Sequence, residues 1–204
     1  MSNLSSDDYR AILALSPDDL LKRCERRNYQ ASGAGGQKRN RVLSAVRLTL
    51  SEPELTVTAG EFREAQRNLQ AALGKLRLNL ALEGASLVAM PPPNGSESEL
   101  ESRSGSESEQ EKGIAGAEEA AARLLSNPPG WPDFRLKVNP EHRDYPNFVY
   151  TALALLRLYR GDVAGAARAL HCTSSALIRF YKLDKQVFAA VNDLRVKLGA
   201  GKLR

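Results

Sequence analysis

Residues 30–50 read QASGAGGQKRNRVLSAVRLTL, and two kinds of text meet inside them. The first half carries Gly33, Gly35 and Gly36, the composition of a loop that must bend sharply. From Ser44 onward, Ala45, Val46, Arg47, Leu48, Thr49 and Leu50 alternate between apolar and polar, which predicts a strand. Upstream, residues 25–30 read as a strand that delivers the chain to the loop. Downstream, Glu52-Pro53-Glu54 is a turn and Leu55-Thr56-Val57-Thr58 a second strand in a hairpin. A helix is predicted over 61–82, where Phe62, Ala65, Leu69, Ala72, Leu73, Leu76 and Leu80 recur at helical period and form a packing stripe. Ser16-Pro17-Asp18-Asp19 opens a shorter helix ahead of the loop, with Ser16 as cap, Pro17 in the first helical position and Leu20, Leu21 and Cys24 on its apolar side. Together these elements predict a small α+β domain over 1–90.

Charge divides the chain into blocks. Residues 20–50 hold Lys22, Arg23, Arg26, Arg27, Lys38, Arg39, Arg41 and Arg47 against Glu25 alone. Residues 91–119 hold eight Glu against Arg103 and Lys112, and residues 120–204 hold fourteen Lys or Arg against six acids. Two basic blocks separated by an acidic one suggest two modules that each face a polyanion. The segment 91–113 has almost no apolar residues and many Ser, Glu and Gly, so it buries too little surface to offset its ordering entropy and is predicted to be a disordered linker.

Beyond Asn127-Pro128-Pro129-Gly130-Trp131-Pro132, the domain predicted over 114–204 is all-α. A helix over 147–160 places Phe148, Ala152, Leu155, Leu156 and Tyr159 inward. Gly161-Asp162 breaks and caps, 163–170 is a short Ala-rich helix, Thr173 caps a helix to about 183, and a last helix spans 185–198. The two central helices carry a helix-turn-helix-like pattern, with Ala167, Leu170, Cys172, Leu177 and Phe180 where the two would pack and small Ala166 and Ala167 permitting a close crossing. The turn favours a positive φ just before Cys172, where this chain has His171 rather than glycine.

The remaining composition narrows the function classes. No uninterrupted apolar run is long enough to span a membrane, and the acidic N-terminus MSNLSSDDYR is not a secretory signal. Cys24 and Cys172 are far apart and read as inert thiols of a reducing cytoplasm. His142 and His171 have no neighbours at ligand spacing, so neither a metal nor a cofactor is expected.

The run Ala31-Ser32-Gly33-Ala34-Gly35-Gly36-Gln37, followed by Asn40, Arg41 and Ser44-Ala45-Val46-Arg47, resembles the GGQ catalytic domain of the class I peptide chain release factors and their short ribosome-rescue relatives. REAQRNLQAALGKLR (63–77) resembles that domain's closing helix, with Arg63 and Asn68 at the usual places, so the resemblance covers roughly 17–83. It implies hydrolysis of the peptidyl-tRNA ester on the ribosome, with Gly35, Gly36 and Gln37 as the catalytic tripeptide. Gly35 and Gly36 supply torsions closed to other residues and a slim backbone for a narrow RNA cavity. The backbone N–H of Gln37 can then face the oxygen on which charge develops, a preorganised donor worth about 3–4 kcal/mol of barrier. The resemblance further implies that the Gln37 side chain places the attacking water, that tRNA and ribosome supply the rest, and that Gln37 is N-methylated by a glutamine methyltransferase. Lys22, Arg23, Arg26, Arg27, Ser32, Gly33, Lys38, Arg39, Asn40, Arg41 and Arg47 are the expected RNA contacts around the loop.

Departures from the family pattern leave the tripeptide itself untouched: Lys38, Arg39, Val42, Leu43, and Ala65 in place of a glutamine that here comes one residue later as Gln66. About thirty residues precede the loop, too few for a codon-reading domain, so codon-independent rescue of stalled ribosomes is the expected activity. Ser174, Ser175, Arg179 and Lys182 on the second motif helix leave two readings open. The first is an RNA- or ribosome-docking module using Arg179, Lys182 and Lys185. The alternative is a nucleic-acid-binding regulator that reads DNA, against which a lone motif per chain counts.

Overall fold

Ser5 opens the first helix, α1 (Ser6–Leu13), through a capping box: its hydroxyl accepts the Asp8 N–H at 3.3 Å and the Asp8 carboxylate accepts the Ser5 N–H at 2.8 Å. Tyr9, Ile12 and Leu13 face inward from it. The computed structural model describes residues 4–30, 43–90, 108–126 and 131–204, with the backbone alone at 108–115. The chain divides into two compact units, Met1–Gly84 and Ala85–Arg204.

In the first unit, α2 (Pro17–Lys22) starts as the sequence predicts, with Ser16 accepting the Asp19 N–H at 3.1 Å and Pro17 in the first turn. β1 (Cys24–Tyr29), β2 (Ala45–Leu50) and β3 (Leu55–Ala59) form an antiparallel sheet in the order β1-β2-β3. The register puts Val46, Leu48 and Leu50 opposite Ala59, Val57 and Leu55, and all six are buried. The helix α3 (Ala65–Ser86) adds Leu69, Ala72, Leu76 and Leu80 to the core. It begins four residues later than 61 because the Phe62 N–H is taken by the Asn68 side chain, which holds the preceding segment in a bend, and Phe62 lies outside the helix. Asn68 and Arg77 are buried polar residues on α3, with Arg77 donating to Leu13 O and Leu15 O at 2.8 and 3.2 Å.

The second unit contains α4 (Ser108–Leu125), α5 (Tyr145–Leu158), α6 (Val163–Ala169), α7 (Ser174–Tyr181) and α8 (Lys185–Lys197). The linker expected over 91–113 is corrected at its end, since residues 108–113 open α4. Low apolar content argues against burial but not against a helix, and the Ala-rich continuation has the highest helix propensity. The first buried side chains described on α4 are Ala117 and Ala121. The rest of the predicted linker and residues 127–130 lie outside the described residues.

α5 is the spine of this unit. All its side chains except the half-buried Arg157 are buried, and α4, α6 and α8 pack against it. Aromatic edges close the core: Trp131 on Tyr150, Phe134 on Phe148 and Phe180, and Tyr145 on Phe180. Tyr181, fully buried, donates its hydroxyl to Ala152 O at 3.0 Å. Arg160 and Gly161 take positive φ of 51° and 82° and end α5, and Asp162 caps α6 by accepting the Ala164 and Gly165 N–H groups. His171 adopts a φ of 51°, so the turn between α6 and α7 has the left-handed residue the sequence pattern asks for, with a side chain in place of glycine. Ala166, Ala167, Leu177 and Phe180 are buried between these elements, while Leu170 and Cys172 are only partly buried.

Candidate functional site

The residues expected to do chemistry lie between β1 and β2. Because the two strands are antiparallel neighbours, the segment joining them leaves and re-enters the sheet across one rung, Tyr29 opposite Ala45. Gly35, Gly36 and Gln37, and with them Ser32, Gly33, Lys38, Arg39, Asn40 and Arg41, lie outside the described residues. What the structure shows is the platform from which that segment springs.

One face belongs to the core through β2 and β3, and on the β1 edge the same face carries the exposed Arg26 and Asn28. The opposite face carries Glu25, Arg27 and Tyr29 on β1, Ala45, Arg47 and Thr49 on β2, and Thr56 and Thr58 on β3, as the register dictates. Arg27 and Arg47 stand directly opposite each other, both exposed. Like charges at such a position oppose strand pairing, so folding alone does not account for them. Each has a local partner: Arg27 is bridged to Glu25 at 2.7 Å, and the Arg47 guanidinium lies 5.5 Å from the centre of the Tyr29 ring. Arg26, exposed on β1, donates to Asn28 at 3.1 Å. Lys22 and Arg23 are exposed at the end of α2. Asp19 pairs with Lys22 at 2.8 Å, which raises the Lys22 pKa and, with the Ser16 hydroxyl, lowers that of Asp19. Five of the predicted cations, Lys22, Arg23, Arg26, Arg27 and Arg47, are therefore exposed within one unit, and two of them share a sheet face at the root of the glycine-rich segment.

Two features of the root were not legible as site residues. Asn28 donates to Leu43 O at 3.5 Å, across from β1. Asn68, fully buried on α3, donates to Ser44 O at 2.8 Å. The resemblance marks Asn68 as a position but assigns it no contact, and the helical period alone makes it an interruption of the apolar stripe.

The model of the RF-1 domain family matches residues 19–120, which is half of the chain's 204 residues. The chain belongs to the RF-1 domain family. This is the GGQ-containing domain of the class I release factors, whose members act on ribosomes and hydrolyse peptidyl-tRNA. The RF-1 match encloses β1, the tripeptide, β2, β3 and α3, so the platform and its predicted reactive segment belong to the family's common part. No curated protein and no solved structure matches the chain.

In the second unit, Arg179 and Lys182 on α7 and Lys185 at the start of α8 are exposed, and Leu177 and Phe180 are buried beneath them. Lys182 lies 5.6 Å from the Phe188 ring. None of the three cations forms an ion pair with a carboxylate among the described residues. Partial burial pushes the Cys24 and Cys172 thiols up in pKa. No group of three His, Cys, Asp or Glu side chains among the described residues could hold a metal, and no helix among them is long and apolar enough to cross a membrane.

Proposed function

We propose that the chain hydrolyses the ester bond of peptidyl-tRNA on the ribosome in the cytoplasm, with Gly35, Gly36 and Gln37 as the reacting tripeptide. The observation that carries this function is the RF-1 match over 19–120, which contains the tripeptide. Its chemistry needs little of the protein. Water held by the Gln37 side chain attacks the ester carbonyl, and the Gln37 backbone N–H donates to the oxygen that gains charge. The bond from the acyl carbon to the tRNA ribose oxygen breaks to give the free peptide acid and the ribose hydroxyl. The tRNA ribose and the ribosome supply the remaining proton transfers. N-methylation of Gln37 by a glutamine methyltransferase belongs to the same proposal.

Binding is by phosphate contacts. Arg27 and Arg47 on one sheet face, Arg26 on β1 and Lys22 and Arg23 at the end of α2 support docking of the first unit on ribosomal RNA, and Lys38, Arg39 and Arg41 belong to the same proposal. Arg179, Lys182 and Lys185 support a second docking surface on the helical unit. Contacts to phosphates position a protein without reading sequence, so a protein docked in this way needs no stop codon. Codon-independent rescue of stalled ribosomes is accordingly the form of release proposed. Release measured on complexes with a stop codon, a sense codon and an empty A site tests it: comparable rates on all three are expected, and a strong preference for stop codons would overturn the rescue proposal. The second reading is a DNA-binding regulator, favoured by the α6–α7 pair with its left-handed turn at His171. Tight, sequence-specific binding of a DNA duplex by the full chain, with no ribosome association, is the outcome that selects it.

A further inference from the structure

Asn68 sits where the helical stripe of α3 calls for an apolar side chain, between the sheet and the bend that precedes the helix. It is fully buried, and an amide buried in such a place is costly unless each of its polar groups is bonded. Here each is: Nδ2 donates to Ser44 O and to Phe62 O, both at 2.8 Å, and Oδ1 accepts the Phe62 N–H at 2.9 Å. A side chain of this length that donates twice and accepts once is an asparagine. Aspartate would set a carboxylate against two carbonyls, leucine would leave three backbone groups unbonded, and serine could donate only once.

The place of Ser44 gives this cluster its meaning. The last rung of the β1–β2 ladder is Tyr29–Ala45, so Ser44 is the first residue beyond the sheet on the returning side of the tripeptide segment. Its carbonyl is bonded by a side chain from α3. The Phe62 bonds in turn hold Asn68 in a single orientation. The anchorage of the returning chain therefore extends one residue past the ladder, to Ser44, through a bond from α3.

Given the release activity proposed above, we propose that Asn68 is a positioning residue for it: by holding Ser44, it fixes the direction in which the segment carrying Gly35-Gly36-Gln37 leaves the sheet. Six residues separate Gln37 from Ser44. A misplacement of a reacting group by about 1 Å can cost roughly a hundred-fold in rate. Five of the docking cations, Lys22, Arg23, Arg26, Arg27 and Arg47, stand on α2 and the sheet and outside this segment, so the greater part of the binding surface does not depend on the anchor.

The test is single-turnover peptide release by the full chain over a range of protein concentrations, for wild type, Asn68→Ser and Asn68→Asp. Leu80→Ala serves as a control in the same helix, about 18 Å along its axis from Asn68 at the standard rise per residue. Thermal unfolding is measured for each protein. Both Asn68 variants are expected to lower the saturated rate by about ten-fold or more while the concentration giving half-maximal release stays within about two-fold of wild type. Leu80→Ala, matched in lost thermal stability, is expected to keep the saturated rate. A saturated rate unchanged in whichever Asn68 variant folds, or a loss that Leu80→Ala reproduces at equal stability, overturns the positioning role. An inactive wild type instead removes the release activity itself, and the anchor's role in it.

Discussion

Arg47→Thr separates what the sheet's basic face does for folding from what it does for binding. Arg47 is exposed on β2, between Arg27 on β1 and Thr58 on β3, and its guanidinium lies 5.5 Å from the centre of the Tyr29 ring. Removing it forfeits an exposed cation–π contact worth about 0.5–1 kcal/mol. It also relieves a cross-strand like-charge pair, worth about 0.2–1 kcal/mol in the opposite sense. Threonine suits a strand and would meet Thr58 across the pair. The two terms oppose each other, so the change in folding stability is expected within about 0.5 kcal/mol of zero. For binding nothing opposes the loss. One phosphate contact fewer lowers the slope of log affinity against log salt by about one, and near 0.15 M salt that corresponds to roughly five-fold weaker association. Urea unfolding gives the first quantity, and co-sedimentation with ribosomes between about 50 and 200 mM salt gives the second. An unchanged salt slope, or a loss of affinity that merely tracks a loss of stability above about 1 kcal/mol, would refute a phosphate-gripping role for this face.

Other substitutions test the second unit. A Cβ on Gly165 would stand 2.6 Å from Tyr159 Cδ1 and 3.0 Å from the Asp162 carboxylate that caps α6, so Gly165→Ala should destabilise the unit by about 1–3 kcal/mol in denaturant unfolding. His171 holds a φ of 51°. His171→Gly should therefore raise stability by up to about 1 kcal/mol, and His171→Val should lower it. Charge reversal at both Arg179 and Lys182 should weaken ribosome association most at low salt and leave the saturated release rate unchanged. A reduced saturated rate with intact binding would contradict a docking role for α7.

The sequence pattern was most informative where period and cap agree. The alternation from Ala45 to Leu50 gives β2, Ser16 and Pro17 give the start of α2, and Gly161-Asp162 gives the break before α6. α1 carries the same kind of signal, a Ser5–Asp8 box followed by Tyr9, Ile12 and Leu13 at helical spacing, and the structure adds it to the elements expected from the sequence. The beginning of α4 shows a different limit: polarity predicts what cannot be buried, and it says little about which polar segments are helical. Asn68 was the harder case. A buried polar residue on an apolar stripe is recognisable only once its partners are known, and Ser44 lies 24 residues away in sequence. At the site itself, the tripeptide and the cations beside it stand out in the sequence by their residue types, and they lie outside the described residues. The pairing of Arg27 with Arg47 follows from strand register, which the sequence leaves open until the strands are aligned.

The central claim is tested most directly by single-turnover release of peptide from purified ribosome complexes by wild type and Gly36→Ala, with ribosome binding followed in parallel. A Cβ at Gly36 alters the backbone shape and donor used only in the transition state. Wild type is expected to release peptide, and Gly36→Ala to bind ribosomes within about two-fold of wild type while releasing peptide at least about a hundred-fold more slowly. Release by Gly36→Ala at a near wild-type rate would contradict the assignment of the tripeptide as the reacting group.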